Sequence, residues 1–393
     1  MVKNKVIQAA RIVDEVRSIF GADFIPLHRP IFDGNERQYL IDCIDSNFVS
    51  SVGEKVTEFE QRIADFAGTR FAVATVNGTS ALHIALELAG VESGDEVITQ
   101  ALTFIATCNA TRYCNAWPVF VDVDQDSLGM SPNALRRFLE NNAERRSEGM
   151  FNRTSGRRLA ACVPMHTFGM PCRVEEIVAV CHEFGIPVVE DAAESLGSYV
   201  GEQHTGSFGT LGVFSFNGNK VITTGGGGMI VTDNEELAVR AKHITTTAKV
   251  PHAWEFVHDE IGYNYRLPNL NAALGCAQIE RLPEMLAIKA QIAERYSKVI
   301  DGLAGIELVK PRAGVTTNRW LNAVLLADRE ERDAFLEYTN SQGVMTRPVW
   351  TLMHRLEMFG HCQHDGLETS SLLEDRLVNL PSSVPEGALG SVV

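Results

Sequence analysis

The sequence predicts an α/β protein whose large domain is built on a mainly parallel sheet. From about residue 35 to 245, amphipathic helical patterns alternate with short apolar strands, an order typical of strands joined by helical crossovers. The strands are apolar along their whole length, which indicates that helices cover both faces of the sheet. Ligands of such sheets bind at the carboxyl ends of the strands. Polar residues that follow a strand are therefore the first candidates for a functional site.

The N-terminal segment predicts an amphipathic helix and not a cleaved leader. Apolar residues recur at helical spacing over residues 5–20, and charges interrupt any continuous apolar core. We expect this helix to pack on the body of the protein or on a partner subunit, because acidic residues on its polar face disfavour a membrane surface. Its apolar positions are Ile12, Val13, Val16, Ile19 and Phe20.

Short apolar runs predict the strands of the large sheet. A further strand lies in the run that begins at Gly212 and ends in a polar loop. The other predicted strands are Phe71–Val76, Glu96–Thr99, Pro118–Val121, Leu159–Val163, Ile186–Glu190 and Met229–Thr232.

Residues 141–158 interrupt this alternation because they are polar and rich in arginine. A charge run of this kind predicts a solvated loop. A contact with a substrate phosphate is the alternative.

After about residue 265 the pattern changes. A long helical pattern, Asn269–Ile300, leads into mixed strands and helices with a second apolar core at Trp320–Leu326 and Phe335–Tyr338. We predict an N-terminal helix and lead-in over residues 1–30. A large domain follows over residues 31–262, and a smaller C-terminal α/β domain over residues 263–393.

Composition limits the classes of function. The 393 residues are 45% hydrophobic and 22% charged, as in ordinary globular proteins, and the net charge is −15. This acidity argues against nucleic acid or an anionic membrane as the main partner. The eight cysteines form no CxxC pair, which predicts a reducing compartment and a cytoplasmic location. His361-Cys362-Gln363-His364 lacks a paired ligand cluster, so we expect no metal site.

Three motifs follow predicted strands. Asn77-Gly78-Thr79-Ser80 opens a helix, where free N–H groups and hydroxyls suit a phosphate, although the motif is also an ordinary helix cap. Asp191 follows an apolar strand and points a carboxylate into the cleft, unless it caps the next helix. Ser215 and Lys220 share one loop, from which they could hold two ends of one ligand.

Lys220 is the most informative of these residues. Burying an ammonium is costly, so a lysine between two apolar stretches predicts a chemical role, such as a Schiff base with a carbonyl. The four glycines that end at Gly228 do not match a nucleotide P-loop. A phosphate cradle, an acid and an amine are together what pyridoxal phosphate requires. Phe104 could stack on its ring, although a lone phenylalanine is otherwise a core residue.

The motifs resemble, in the same order, those of the DegT/StrS family of pyridoxal-phosphate-dependent sugar aminotransferases. The resemblance implies the aspartate aminotransferase-like, type I fold and runs from about Phe24 to Ser383. The matching segments are NGTSAL (77–82), TFIATCNA (103–110), EDAAESLGS (190–198), GVFSFNGNKVITTGGGG (212–228), GYNYRLPNLNAALG (262–275) and MHRLEMF (353–359).

The resemblance implies pyridoxal 5'-phosphate as the cofactor and a role for each matching residue. Lys220 forms the Schiff base and moves protons, and Asp191 pairs with the pyridinium nitrogen. Asn264 reaches the phosphate of the neighbouring subunit, which implies a homodimer with shared active sites. The other cofactor contacts are Gly78, Thr79, Ser80 and Ser215 at the phosphate and Phe104 on the ring.

Two positions differ from the commoner family pattern. Many members have His or Gln near the ring oxygen where this chain has Glu194, and many have His in the lysine loop where it has Asn217. An ionised carboxylate would repel a phenolate, so Glu194, still a cofactor contact, must be protonated, paired or turned aside.

The resemblance implies amino transfer from L-glutamate to a nucleotide-linked keto-sugar. The N-terminal helix and the NGNK loop resemble a subgroup acting on UDP-4-keto-6-deoxy-N-acetylhexosamines, on routes to surface glycans. Amination of a 3-keto sugar, a cofactor-binding sugar dehydratase and a regulatory binding protein are the alternatives. Lys220 argues against the dehydratase, and the absence of a helix-turn-helix pattern argues against the regulator. Candidate substrate contacts, each equally a candidate structural residue, are His28, Trp320, Trp350 and His354.

Overall fold

The computed structural model describes residues 2–390, and the side chains from residue 8 to residue 390. It contains the predicted large sheet, here with seven strands. These are β1 (Phe71–Thr75), β2 (Glu96–Gln100), β3 (Trp117–Val121), β6 (Leu159–Val163), β7 (Val189–Asp191), β10 (Leu211–Ser215) and β11 (Gly228–Thr232).

The strand order of this sheet is β3-β2-β6-β7-β10-β11-β1. β2 pairs in parallel with β3 and β6, and β10 pairs in parallel with β7, whereas β11 runs antiparallel to both of its neighbours. Parallel bridges between Cys162 and Val188 and between Met165 and Asp191 join β6 to β7. Because six strands share one direction, their carboxyl ends meet at one edge and place the intervening loops there.

Eleven helices surround the sheets in the part of the chain that is described. Asn77 accepts a hydrogen bond from the Ser80 N–H at the start of the helix Gly78–Leu88. Gly68, in the left-handed conformation, ends the helix Glu54–Ala67. The helices are α1 (Val2–Phe20), α2 (Glu36–Asp45), α3 (Glu54–Ala67), α4 (Gly78–Leu88), α5 (Ile105–Tyr113), α6 (Pro132–Asn142), α7 (Val174–Phe184), α8 (Glu235–Thr245), α9 (Asn269–Ile300), α10 (Arg329–Ser341) and α11 (Glu368–Arg376).

A second, antiparallel sheet follows α9, and its strand order is β12-β14-β16-β15. The bounds of α9 are those that the sequence predicts, and the residues at Asn322–Leu326 form the buried central strand β14. The division into domains at residues 30 and 262 stays a prediction. The strands are β12 (Ile306–Leu308), β14 (Asn322–Leu326), β15 (Arg347–Pro348) and β16 (Leu377–Leu380).

The arginine-rich segment is a β-hairpin, where the sequence predicts a loop. β4 (Ala143–Arg146) pairs antiparallel with β5 (Gly149–Asn152). Its arginines face solvent, but Arg158, just beyond it, forms an ion pair of 2.6 Å with Asp95. Backbone pairing thus orders a segment whose side chains alone predict no regular structure. Two smaller strands, β8 (Tyr199–Val200) and β9 (Gln203–His204), form another sheet with β13 (Val315–Thr316).

The N-terminal helix packs on the body of the protein, which confirms one of the two expected locations. Ile12, Val13 and Val16 are buried against the main core, and α1 contacts both α9 and α10. Arg295 of α9 donates a 2.7 Å hydrogen bond to Glu15. Among the described helices, none is both long enough and apolar enough to cross a membrane.

Candidate active site

A cavity of about 330 Å³ lies at the carboxyl edge of the large sheet. The loops after β1, β2, β6, β7 and β10 line it, and two tryptophans from the C-terminal part of the chain close it. A larger groove of about 1340 Å³ beside α8 has a mostly charged and polar lining, and no lysine is among the described residues that line it. The smaller cavity is lined by Asn77, Gly78, Thr79, Leu82, Phe104, Ala106, Met165, Asp191, Ala193, Glu194, Ser215, Asn217, Asn219, Lys220, Trp320 and Trp350.

Lys220 enters this cavity from the loop that follows β10. A turn closed by its own N–H and the Asn217 carbonyl, at 3.0 Å, gives the loop its shape. The side chain is 11% exposed, and its Nζ lies 3.3 Å from Glu194 Oε1 and 4.1 Å from the centre of the Trp320 ring. The amine therefore faces both a carboxylate and an aromatic wall.

Asp191 is buried and is the last residue of β7, whereas the sequence predicts that the strand ends at Glu190. No helix begins at this point, so the carboxylate does not cap one; it accepts a 2.6 Å hydrogen bond from Thr107 Oγ1 and a 3.2 Å bond from the Ala193 N–H. Burial raises the pKa of Asp191, and these two donors and the charges of Lys220 and His166 oppose the rise. The carboxylate thus has a fixed orientation towards the cavity.

Thr107 is a residue of this site for which the sequence predicts no role. It lies in the TFIATCNA segment, one helical turn after Phe104, and that spacing on α5 was the available signal. Its hydroxyl links Asp191 to Thr103, whose Oγ1 lies 2.9 Å away.

Glu194 is paired, which is one of the three states expected for it. Oε1 faces Lys220, and Oε2 accepts a 2.8 Å hydrogen bond from the Phe168 N–H. Burial raises the pKa of Glu194 to about 7, against the opposing effects of Lys220 and the Phe168 N–H. Near neutral pH this carboxyl can therefore hold or release a proton beside the amine.

The turn before α4 approaches the lysine loop very closely. A Cβ added to Gly78 would lie 2.9 Å from Ser215 Cβ, so only glycine fits between the two segments. Thr79 and Ser215 line the cavity, beside the N–H groups that begin α4. Ser80 is buried and outside the lining; its own N–H is occupied by Asn77.

Aromatic rings form one side of the cavity. Phe104 is 45% exposed, and its ring centre lies 5.9 Å from that of Trp350. Phe168 connects the two tryptophans, with ring centres 5.1 Å from Trp350 and 6.5 Å from Trp320. The sequence alone assigns no role to Phe168, because only the fold brings it between them.

Residues 30–386 match the DegT/DnrJ/EryC1/StrS aminotransferase family. The chain belongs to this family. The enzyme is thus an aminotransferase, and its type I fold is the one that the sequence motifs imply.

Two curated relatives and one solved structure show the extent of the similarity. EpsN of Bacillus subtilis (strain 168), assigned as a pyridoxal phosphate-dependent aminotransferase, is 36% identical over 377 residues, 94% of each chain. A GDP-perosamine synthase of Escherichia coli O157:H7 is 34% identical over 362 residues, 91% of this chain and 93% of the relative. The aminotransferase TlmJ from Streptoalloteichus hindustanus has a TM-score of 0.82 and 27% sequence identity, over 91% of this chain and 93% of that one.

The cavity of this aminotransferase fits pyridoxal phosphate in its donor set. It combines an amine, a buried carboxylate and the start of a helix whose Gly78 leaves room for close approach. The family and its relatives depend on the same cofactor, which confirms that expectation. The individual cofactor contacts remain predictions.

Besides Ser80, three predicted contacts lie outside the lining of the cavity. Asn264 is exposed and accepts a 3.0 Å hydrogen bond from Arg266 of its own chain. His354 lies beside His364, with ring centres 5.1 Å apart, and His28 lies 3.2 Å from Lys289 Nζ. Asn217, by contrast, lines the cavity and donates a 3.2 Å hydrogen bond to Asn219.

Proposed function

We propose that this aminotransferase moves the amino group of L-glutamate to the keto carbon of a nucleotide-linked 4-keto-6-deoxy sugar. The sugar nucleotide we expect is a UDP-linked N-acetylhexosamine, and the amino sugar formed would serve surface glycans. One observation carries the proposal: the Lys220 amine lies 3.3 Å from Glu194 in the cavity that also holds Asp191 and the start of α4.

Each residue has a chemical task in this proposal. When bound, pyridoxal phosphate supplies an aldehyde and an electron-withdrawing ring. Lys220 would hold the cofactor until the donor displaces it, and its free amine would then move the proton of the donor Cα. Asp191 would keep the ring nitrogen protonated, because a buried carboxylate stabilises a facing positive charge. Thr79, Ser215 and the first N–H groups of α4 would hold the phosphate.

The same lysine would serve the second half of the reaction. In a ping-pong order, the amino acid would leave as a keto acid, its nitrogen would stay on the cofactor, and the keto-sugar would then enter. Lys220 would then give a proton to the sugar carbon that gains this nitrogen. Trp320 and Trp350 line the side of the cavity that we assign to the sugar, and Phe104 would stack on the cofactor ring.

Sequence relatives support a nucleotide-linked sugar as the acceptor. A GDP-perosamine synthase, named for an amino sugar on a nucleotide, is 34% identical to this chain. The choice of UDP over GDP rests on the resemblance of the NGNK loop and the N-terminal segment to one subgroup. A 3-keto sugar nucleotide is the second candidate acceptor within the same mechanism, and Lys220 argues against a dehydratase.

A two-step spectroscopic experiment tests the proposal. Glutamate added to the purified, cofactor-loaded protein should bleach the visible absorbance of the lysine-bound cofactor. UDP-linked, GDP-linked and 3-keto sugars, added one at a time, should then restore it only for the true acceptor. If no amino acid bleaches the band, the aminotransferase assignment of this site fails. Recovery with a GDP-linked or 3-keto sugar alone corrects only the acceptor.

We also propose that the enzyme works as a homodimer in which Asn264 reaches the phosphate site of the partner subunit. Two exposed surfaces support the homodimer: an apolar surface near α2 and an aromatic loop before the GYNYR segment. Sedimentation of the active protein as a monomer would contradict it. The exposed residues are Ile41, Ile44, Phe48, Val49 and Val52 on the first surface and Trp254, Phe256 and Ile261 in the loop.

A cytoplasmic location is part of the same proposal. All eight cysteines are unpaired and buried, as expected for a protein kept in a reducing compartment. Cell fractionation that recovers the protein outside the cytoplasm would contradict this assignment.

A further inference from the structure

Lys289 is a buried lysine in the middle of α9 that the proposed reaction does not use. It is 1% exposed, and within the described residues no carboxylate lies within ion-pair distance of its Nζ. Burial lowers the pKa of this amine to about 7. Because burying an amine without a counter-charge costs stability, a methionine would fill this place more favourably. The contacts of Lys289 are therefore the place to look for its role.

Three acceptors surround the Lys289 amine, each from a different part of the chain. It donates to the Ser382 carbonyl, to the Trp320 carbonyl at 3.3 Å and to His28 Nε2 at 3.2 Å. Ser382 itself is tied to the lead-in by a 2.8 Å bond from its N–H to the Leu27 carbonyl. Lys289 thus joins the N-terminal lead-in, the C-terminal sheet and the segment of Trp320.

His28 lies within hydrogen-bond distance of Lys289, since its Nε2 is 3.2 Å from Nζ. A charged amine can only donate, so with Lys289 charged Nε2 accepts and the ring proton lies on Nδ1. Burial, followed by the charges of Lys289 and Lys220, lowers the pKa of His28 well below its usual value, and the Asn219 carbonyl opposes this shift. His28 is therefore neutral. No hydrogen bond of good geometry satisfies Nδ1, which is buried.

Trp320 is held at both ends in the same arrangement. Its carbonyl accepts from Lys289, and its indole Nε1–H donates to the Asn219 carbonyl at 2.6 Å. The ring between these two bonds lies 4.1 Å from Lys220 Nζ. The Asn219 carbonyl belongs to the peptide bond that Lys220 completes. Trp320, which Lys289 holds at its carbonyl, therefore contacts the peptide that carries the reactive amine.

We propose that Lys289 is a positioning residue for amination: held beside His28, it fixes the Asn219–Lys220 peptide through Trp320, and with it the direction of the Lys220 amine. This inference rests on the proposed role of Lys220. It also gives His28 a function in the scaffold of the site and not at the substrate. A shift of about 1 Å in a positioned group can cost about 100-fold in rate, so a distant clamp of this kind has a measurable effect.

The first test compares Lys289→Met with Lys298→Met in the cofactor-loaded enzyme. Lys298 is exposed on the same helix, so its replacement controls for the loss of a lysine from α9. We expect Lys289→Met to lower kcat about 10- to 100-fold with little change in the KM for glutamate. Without any substrate, the pH at which the lysine-bound cofactor changes absorbance should shift by about 0.5 unit or more. The control should change neither quantity.

Two variants of His28 test whether this residue takes part in the effect of Lys289 on kcat. His28→Asn keeps a polar side chain that can accept a hydrogen bond from Lys289, whereas His28→Phe removes it. We expect His28→Phe to lower kcat as Lys289→Met does and His28→Asn to retain more activity. The double variant of Lys289→Met with His28→Phe should be no worse than the poorer single variant, because both break one network. Losses that multiply would overturn the proposal.

Failure of this inference differs from failure of the proposed function. If the wild-type protein forms no lysine-bound absorbance with pyridoxal phosphate, the role of Lys220 is wrong. If the wild type forms it and Lys289→Met matches the wild type in absorbance and kcat, only the role of Lys289 is overturned. Should Lys289→Met fail to fold, the His28 pair decides, since equal losses in His28→Asn and His28→Phe would refute the network.

Discussion

Two buried lysines of this enzyme, Lys220 and Lys289, have opposite surroundings. Lys220 lies at the end of a strand, faces a cavity of about 330 Å³ and has the carboxylate of Glu194 at 3.3 Å. Lys289 lies in mid-helix and is 1% exposed, and its hydrogen-bond partners among the described residues are two carbonyl oxygens and an imidazole. One amine is thus accessible to a ligand, and the other is enclosed by the protein.

This difference shows that burial alone does not identify a reactive lysine. A buried amine becomes a candidate for chemistry when it also has space for a reactant and an acid beside it. An amine whose three acceptors all belong to the protein fixes those acceptors in place. Trp320 contacts both lysines, since its ring faces Lys220 and its carbonyl accepts from Lys289. The two amines therefore belong to one arrangement with different tasks.

The largest expected effect separates the two lysines directly. Lys220→Ala removes the proposed proton carrier, and we expect turnover to fall by at least ~10²–10⁴-fold, to the limit of detection. Lys289→Met should keep measurable turnover, because its amine touches no reactant. Amination rates in a coupled assay with glutamate and the keto-sugar check this order. Residual amination by Lys220→Ala within tenfold of the wild type would remove the distinction between the lysines.

Asp191→Asn should give the next largest effect. It retains the shape of the side chain but removes the charge that we place at the ring nitrogen, and such a preorganised charge is worth roughly 10²–10³-fold in rate. Thr107→Val is the matched control, because it removes the 2.6 Å hydrogen bond and leaves the carboxylate. We expect it to lose about tenfold or less. Equal losses in the two variants would show that orientation, and not charge, matters at Asp191.

The sequence predicts the fold where patterns are long or fully apolar. The helix Asn269–Ile300 has the predicted bounds because its periodicity continues over many turns. β7 begins at Val189, later than predicted, and Pro187, which lacks an N–H, precedes the pairing. The hairpin at residues 143–152 was missed because its polar side chains hide the backbone pairing.

The candidate site was predictable to the extent that its residues follow strands. Lys220, Asp191 and Thr79 lie together because parallel strands bring their carboxyl ends to one edge. Phe168 and Lys289 could not be found in this way, since each acts through a contact with a distant segment. In the sequence, Lys289 reads as an ordinary polar position of a long helix. Only tertiary packing shows that it is buried.

Glu194→Gln tests the carboxylate that distinguishes the environment of Lys220. The pKa of Glu194 rises from 4.5 to about 7 on folding, so the folded state holds more protons between these values. The contribution of this protonation to the free energy of unfolding is therefore present at low pH and is lost as the pH rises from 4.5 to about 7. Glu194→Gln cannot titrate, and its free energy of unfolding should fall less from pH 5 to pH 8, by roughly 1–3 kcal/mol.

Urea unfolding of the cofactor-free protein at several pH values measures this difference. Glu183→Gln is a suitable control, because Glu183 pairs with Arg136 on the surface. The neighbours that share the site, Lys220 and Asp191, are unchanged in both variants. Parallel pH profiles for the wild type and Glu194→Gln would mean that Glu194 does not take up a proton on folding.

The smallest expected effect belongs to Trp320, the residue between the two lysines. Trp320→Phe keeps an aromatic ring beside Lys220 but removes the N–H that donates to the Asn219 carbonyl at 2.6 Å. A single hydrogen bond of this kind contributes about 0.5–1.5 kcal/mol, so kcat should fall roughly 3- to 10-fold. Trp320→Ala removes the ring as well and should lose more. If both variants lose the same amount, the hydrogen bond to Asn219 accounts for the whole effect and the ring beside Lys220 contributes nothing. If Trp320→Phe equals the wild type, the indole N–H does not hold the lysine loop, and the proposed path from Lys289 to Lys220 is overturned.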